Sequence, residues 1–281
     1  MTSRICLSVC LLILGGMGRT GHAADNAPIY DNVHIKVTDP VQAVDWYNKY
    51  LGAKTLIAGR TVLIGDVRIV LLKSDNEGPS TGSVIDHIGL SFPSLDAKLK
   101  ELGAAGIKYQ TAPAGTLGST KTVFVDDPFG GTKIELLQDN DLIGFHHVHL
   151  RVADPHATMK WYQEAFGGEI AKVKGVEGLH YGNMWLLAAK NNGETLAPSD
   201  GRAIQNIAWR LEDIQAQFAK MKTMQNVKFL NEPQSAKDPG GSLLPVWYMM
   251  VEDPNGVKVE TLQRPPPSDA LSGRGHAGSA P

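Results

Sequence analysis

The segment GFHHVHLRVADP at residues 144–155, followed by Trp161-Tyr162 and Phe166-Gly167-Gly168, repeats DNVHIKVTDP at residues 31–40, followed by Trp46-Tyr47 and Leu51-Gly52-Ala53. His34, Asp39, Trp46 and Gly52 map onto His149, Asp154, Trp161 and Gly167 at one constant offset of 115 residues. Chance spacing rarely gives such a set, so the chain is a duplication, and an internal repeat governs how the rest is read. The repeated strand carries histidines on alternate residues, His147 and His149 in the second copy. Alternate residues of a strand share a face, so such a strand can present ligands to one metal ion.

The same grammar appears four times along the chain. In the first unit residues 33–38 alternate as a strand, Asp39 caps a helix with Pro40 at its first position, and Gly52 ends that helix. Strands follow near residues 55–58, 60–64 and 67–73. The third unit, residues 147–190, repeats this with Asp154-Pro155 as cap and Gly167-Gly168 as stop. The second unit opens on Asp86-His87-Ile88-Gly89-Leu90, predicts a helix over 95–103 and closes with TVFVDDPFGGTKIELLQ at 122–138. The fourth opens on Gln205-Asn206-Ile207-Ala208-Trp209, predicts a helix over 213–221 and closes with WYMMVEDPNGVKVETLQ at 247–263. In both closes an Asp-Pro-x-Gly turn feeds a half-buried strand that carries a glutamate, Glu135 or Glu260. Residues 74–82 and 191–201 are polar and rich in Gly and Pro, hence linkers, and the seam between the halves near 138–144 is short.

The ends bound the location and class. Arg4, an apolar run over 5–17 and the small residues of Gly21-His22-Ala23 predict an export signal over residues 1–23, hence a secreted or periplasmic protein. That run is too short for a confident membrane span, which needs about 20 apolar residues, so none is expected after cleavage. Both cysteines, Cys6 and Cys10, fall inside the signal, which leaves no disulfide, nucleophilic thiol or thiolate ligand. Losing Arg4 and Arg19 moves the formal net charge from −2 to −4, so a nucleic-acid partner has no electrostatic footprint. Residues 265–281 are Pro, Gly, Ser and Ala-rich and are expected to be a disordered tail.

Strand, helix and strands four times over, with the Asp-Pro-x-Gly close leading to a glutamate, resembles the vicinal oxygen chelate superfamily. That group includes glyoxalase I, extradiol dioxygenases, fosfomycin-resistance transferases, methylmalonyl-CoA epimerase and bleomycin-binding proteins. The resemblance covers nearly all of residues 30–263 and implies an α+β fold: four βαβββ modules forming two domains, 28–140 and 143–264, with curved mixed or antiparallel sheets. It speaks to fold more than to reaction, because the fold hosts many chemistries.

The resemblance also implies a divalent metal in the cup made when two units pair. Ligands come from each opening strand, seven residues before the helix cap, and from the closing strand. Counting back from Asp39, Ser94, Asp154 and Asp213 gives Asn32, His87, His147 and Asn206, and the closing glutamates are Glu135 and Glu260. Pairing within each half would give cups of Asn32, His87, Glu135 and of His147, Asn206, Glu260. Pairing the second unit with the third gathers His87, Glu135 and His147 in one cup and leaves Asn32, Asn206 and Glu260 in the other. The crossed arrangement collects both losses in one pocket and is the expected one, with a single metal at His87, Glu135 and His147. Two histidines and a carboxylate leave positions open for substrate oxygens and suit Fe, Mn, Ni or Zn.

Around that metal, His149 and Arg151 share the face of His147. His149 is the expected acid or base near neutral pH, and Arg151 stands where glyoxalase I has an arginine that grips an anionic substrate. His146 faces the other way and is expected on the outer face. Trp185, Trp247 and Tyr248 are expected in the core or cup wall, residues 111–120 and 238–245 as lids, and Lys121 and Lys237 as solvated charges. Departures narrow the chemistry implied. The position of glyoxalase I's further glutamate falls near Leu186, and Phe124, Val125 and Met250 stand where extradiol dioxygenases carry a tyrosine. Glutathione is scarce outside the cytoplasm, which disfavours true glyoxalase I activity. The expected protein is a metal-dependent lyase, isomerase or dioxygenase acting on a small oxygen-rich molecule, as monomer or homodimer. The alternative is a metal-free module that sequesters a small molecule.

Overall fold

The helices begin where their caps sit. In the computed structural model, which describes residues 28–237 and 245–264, Asp39 is extended at φ −136° and its carboxylate accepts from the backbone N–H groups of Val41 and Gln42. Pro40 opens the helix Pro40–Leu51, where a missing N–H costs nothing, and Gly52 closes it at φ 72°. Ser94, Asp154 and Asp213 cap Leu95–Ala104, Pro155–Phe166 and Ile214–Met221 in the same manner. The export segment 1–23, the tail 265–281 and residues 238–244 of the second lid lie outside the described residues.

Each helix carries the chain from an opening strand to a small meander. The opening strands are Ile29–Val37, Ile85–Ser91, Gly144–Val152 and Ile204–Arg210. The last strands of the four units are Val67–Lys73, Lys133–Leu137, Trp185–Lys190 and Lys258–Gln263. Each last strand lies parallel to its own opening strand, the connection a helical crossover permits.

The units then pair across the halves. Ile85–Ser91 of the second unit runs antiparallel to Gly144–Val152 of the third, at the centre of an eight-stranded sheet. Ile29–Val37 of the first runs antiparallel to Ile204–Arg210 of the fourth, at the centre of a sheet with nine strands among the described residues. Each curved sheet thus takes one unit from each half of the sequence. The registers correspond: His87 lies opposite His149 and Gly89 opposite His147, as Asn206 lies opposite His34 and Ala208 opposite Asn32.

Equivalent residues of the duplication also meet in the core. Tyr30 stacks on Phe145, its counterpart 115 residues on, at 5.6 Å. Trp209 is fully buried, stacked on Phe166 at 4.4 Å with Tyr30 edge-on at 5.3 Å. Among the described residues no helix is long and apolar enough to cross a membrane.

Candidate metal centre

In the eight-stranded sheet, Glu135 is in register with Gly89 on the neighbouring parallel strand, so it shares a face with His87, two residues away. The antiparallel neighbour brings His147 and His149 to the same face. One ligand atom from each of His87, Glu135, His147 and His149 lies within 4.8 Å of the others. Their exposures are 3%, 0%, 0% and 6%, so the cluster is nearly closed to solvent. His87 Nε2 lies 3.2 Å and His147 Nε2 3.0 Å from the same oxygen, Glu135 Oε2.

Gly89 makes room for this convergence. A Cβ there would lie 2.1 Å from Cε1 of the His147 ring, whereas the corresponding place in the other sheet, opposite the smaller Asn32, holds Ala208. Gly89→Ala is therefore expected to displace His147, reduce bound metal and cost about 1–3 kcal/mol of stability through overpacking. Metal analysis together with denaturant unfolding checks this; a variant with wild-type metal content would show that the ring has another place to go.

Two β-bulges aim the supporting groups. Asp86 is the extra residue between the pairs Ile85/Leu150 and His87/His149, and His146 the extra residue between Gly89/His147 and Leu90/Phe145. A bulge redirects the side chain of its inserted residue. Asp86 Oδ2 accordingly sits 2.6 Å from His87 Nδ1 and accepts from Lys133 Nζ at 2.7 Å. His146 Nδ1 sits 2.9 Å from His147 Nδ1. The expectation of an outer-face His146 is thereby corrected: the bulge turns it against its neighbour, and it is fully buried.

The electrostatics follow from burial and these neighbours. Burial alone would raise the Glu135 pKa, but His147 and His87 outweigh it and hold the carboxyl well below the usual range. Burial opposes charge on His87, yet hydrogen bonds to Asp86 and Glu135 raise its pKa. His149 is pushed well below the ordinary histidine value by burial, reinforced by His87 and His147. Its charged form is therefore disfavoured, and it presents a neutral lone pair to the cluster.

The cluster fits a cation. With Nδ1 of His87 engaged by a carboxylate and Nδ1 of His147 by His146, both Nε2 atoms turn toward a carboxylate oxygen. Glu135 Oε1, His147 Nε2 and His149 Nδ1 are buried with no hydrogen-bond partner among the described residues. Buried acceptors without donors are costly, and a bound metal would satisfy them together.

Other sequence expectations resolve individually. Arg151 shares the strand face but sits at the rim, its guanidinium forked onto Glu194 at 2.8 and 3.1 Å. Phe124 lies opposite Glu135 in register and packs edge-on against His87 at 5.1 Å, a wall without a hydroxyl. The closing-strand place that matches Glu135 in the third unit is Leu187, in register with His149, rather than Leu186, which belongs to the buried core. A shift of one residue exchanges the faces of a strand, and either leucine is without a donor atom. Trp247 is 41% exposed and so is not core, while Trp185 stacks on His180. Lys121 is an exposed partner of Asp96. Asp86, Gly89, Lys133 and His146 were not picked out by strand alternation, although Asp86 and His146 each directly precede a ligand candidate.

The nine-stranded sheet holds the other set. Asn206 Nδ2 donates to Glu260 Oε2 at 3.4 Å and His34 Nε2 lies 3.6 Å from that oxygen. Where His146 stands in the second copy, Asp31 stands here, buried against Arg68 at 2.7 Å, Arg210 at 3.6 Å and Arg264. Among the described residues no second group of three or more His, Asp and Glu side chains converges as the first does.

Comparison with known proteins agrees with this geometry. The family model described as Glyoxalase/Bleomycin resistance protein/Dioxygenase superfamily matches twice, over residues 29–136 and 144–261. No curated protein matches the sequence. Among solved structures, glyoxalase I from Zea mays is 20% identical with a TM-score of 0.65, covering 88% of this chain and 95% of that one. A candidate dioxygenase from Bacillus subtilis subsp. subtilis strain 168 is 15% identical with a TM-score of 0.54, covering 86% of each chain. At these identities the likeness is one of fold.

Proposed function

The chain belongs to the glyoxalase/bleomycin resistance protein/dioxygenase superfamily, and from that premise we propose that it is a divalent-metal-dependent enzyme acting on a small molecule that chelates the metal through two oxygens. The convergence of three imidazoles and one carboxylate in a closed cup, with lone pairs that no donor satisfies, carries this reading. His87, Glu135 and His147 would hold the ion, and Fe, Mn, Ni or Zn suits such a set. When bound, the ion supplies Lewis acidity to substrate oxygens. With His87, Glu135 and His147 holding the ion, the His149 Nδ1 lone pair, buried and without a hydrogen-bond partner among the described residues, would be the group that accepts a proton from the substrate. Phe124 and the surrounding sheet keep water from the reacting atoms, while Arg151, steadied by Glu194, stands at the rim where an anionic group would enter. We further propose export, on the basic residue, apolar run and small residues within positions 1–23.

Metal analysis of the full chain tests the reading, and its pH dependence has a defined sign. Capture of a metal needs a bare Nε2 on His87, and the raised pKa of that group means protons compete for the same lone pair. Loading of chelator-stripped protein is thus expected to be complete above the histidine range and to fall as pH drops through it, with proton release on binding. A loading curve flat between about pH 5 and about pH 8 would count against these ligands. Absence of metal at any pH, combined with tight uptake of a small aromatic molecule, would favour a sequestering module.

A further inference from the structure

The geometry points to His146 and Asp139 as positioning residues that hold His147 in the tautomer whose Nε2 lone pair faces Glu135, and so raise the affinity of the centre for its metal. This rests on the metal centre proposed above.

Along one chain of contacts each hydrogen position fixes the next. Lys174 Nζ donates to Asp139 Oδ1 at 2.9 Å, which keeps that carboxylate an acceptor. Asp139 Oδ2 lies 3.3 Å from His146 Nε2, so that nitrogen must carry its hydrogen. A neutral imidazole protonated on Nε2 has a bare Nδ1, and His146 Nδ1 lies 2.9 Å from His147 Nδ1. Two bare nitrogens would repel, so the contact is a hydrogen bond only when His147 carries its hydrogen on Nδ1. His147 Nε2 is then a lone pair, buried 3.0 Å from Glu135 Oε2 and without a hydrogen-bond partner among the described residues, and two facing acceptors of this kind are reconciled by a cation bound between them. The opposite arrangement, with His147 protonated on Nε2, would leave His146 Nε2 without a proton against the Asp139 carboxylate. Asp139 therefore decides, two imidazole rings away, which nitrogen of His147 can take a cation.

The rest of the fold holds this relay in place. His146 reaches His147 because it is the inserted residue of a bulge. Lys174 sits in the left-handed region at φ 51°, beside Gly175 at φ 88°, in the two-residue turn between strands Glu169–Val173 and Val176–His180. Asn or Asp is the usual residue at that turn position, so a lysine there is held at some conformational cost. Its carbonyl is covered by Gly118, where a Cβ would lie 1.8 Å from the Lys174 oxygen. Asp139 itself belongs to the seam joining the two halves, so the relay ties one metal ligand to that crossover. The first copy of the duplication has no such relay: Asp31 and Asn32 occupy the places of His146 and His147, and Asp31 is engaged by arginines. On the other ligand, Asp86 meets His87 Nδ1 directly and is held by Lys133. Both histidines are thus offered through Nε2, one backed by a carboxylate and one by a neutral imidazole. Outer groups of this kind are typically worth about 10–100-fold in metal affinity.

The experiment is a Co²⁺ titration of the chelator-stripped full chain, read by the visible absorption of the bound ion. His146→Leu removes the acceptor and is expected to weaken Co²⁺ binding by about 10–100-fold and to alter the absorption envelope. His146→Asn, whose carbonyl oxygen can stand where Nδ1 stood, is expected to retain most of the affinity. Asp139→Ala keeps the His146 ring that fills the space beside His147 and removes only the carboxylate behind it; it is expected to weaken binding in the same direction, which keeps the test decisive should His146→Leu fail to fold. Wild-type affinity and spectrum in both His146→Leu and Asp139→Ala would overturn the relay while leaving the metal centre intact. Failure of the wild-type protein to take up Co²⁺ would overturn the metal centre and the relay with it.

Discussion

Alanine at His87, Glu135 or His147 is expected to strip the protein of bound metal, while Glu260→Ala leaves the content of the purified protein unchanged. The contrast rests on what each carboxylate faces. Glu135 Oε2 has two imidazole nitrogens within 3.2 Å, both turned toward it by groups on their far side. Glu260 faces an amide nitrogen of Asn206 and a more distant His34. Among the described residues this second cup brings one imidazole and one carboxylate together with amides, where the first brings three imidazoles and one carboxylate, and no group of three or more His, Asp and Glu side chains converges there. Removing one of a few ligands typically abolishes tight binding, whereas a distant carboxylate is without effect on it. Elemental analysis of the four variants, each compared with the folded wild type, decides the matter. Metal lost from Glu260→Ala and kept by Glu135→Ala would transfer the centre to the other sheet.

Asp31→Ala is expected to lower unfolding stability by about 3–5 kcal/mol, a large part of what holds a typical domain together. Asp31 is almost wholly buried, with Arg68 fully buried against it and Arg210 and Arg264 alongside. Burial alone would raise its pKa, but Arg264 and Arg68 outweigh that and lower it. A depressed carboxylate contributes stability at neutral pH that is withdrawn only as pH falls through its folded pKa. The alanine variant loses that contribution at every pH above the carboxylate range and should also lose part of the acid sensitivity of unfolding. Urea unfolding at neutral and acidic pH measures both. A midpoint shift corresponding to less than about 1 kcal/mol at neutral pH, the range of an exposed ion pair, would show that the arginines are satisfied without Asp31. Asp31→Leu combined with Arg68→Met is expected to recover part of the loss, because a buried ion pair is often replaceable by well-packed apolar groups.

The amino-acid sequence alone determined the units of this protein and their ends. Asp39, Ser94, Asp154 and Asp213 announce their helices through local chemistry, a short side chain meeting the first free N–H groups. His87, Glu135 and His147 stood out through the family resemblance, whose ligand places lie at a fixed distance before each helix cap and on the closing strand, and such distances survive without coordinates. The grouping of both asparagines in one cup even hinted at the crossed pairing, but only the sheets decide it, since the partner of a strand is not encoded beside it. The tertiary structure also decided what lies around the candidates. Alternation with period two assumes an unbroken ladder, and bulges at Asp86 and His146 break it, turning His146 from an assumed outer face onto His147. The neutrality of His149 comes from burial among imidazoles, and the posture of Arg151 from Glu194, 43 residues away in sequence. Proton placement at the centre depends on Asp139 and Lys174, which a short seam and a tight turn bring together. Local propensity and spacing are properties of neighbours along the chain; register, burial and the direction of a hydrogen bond exist only once distant segments have met.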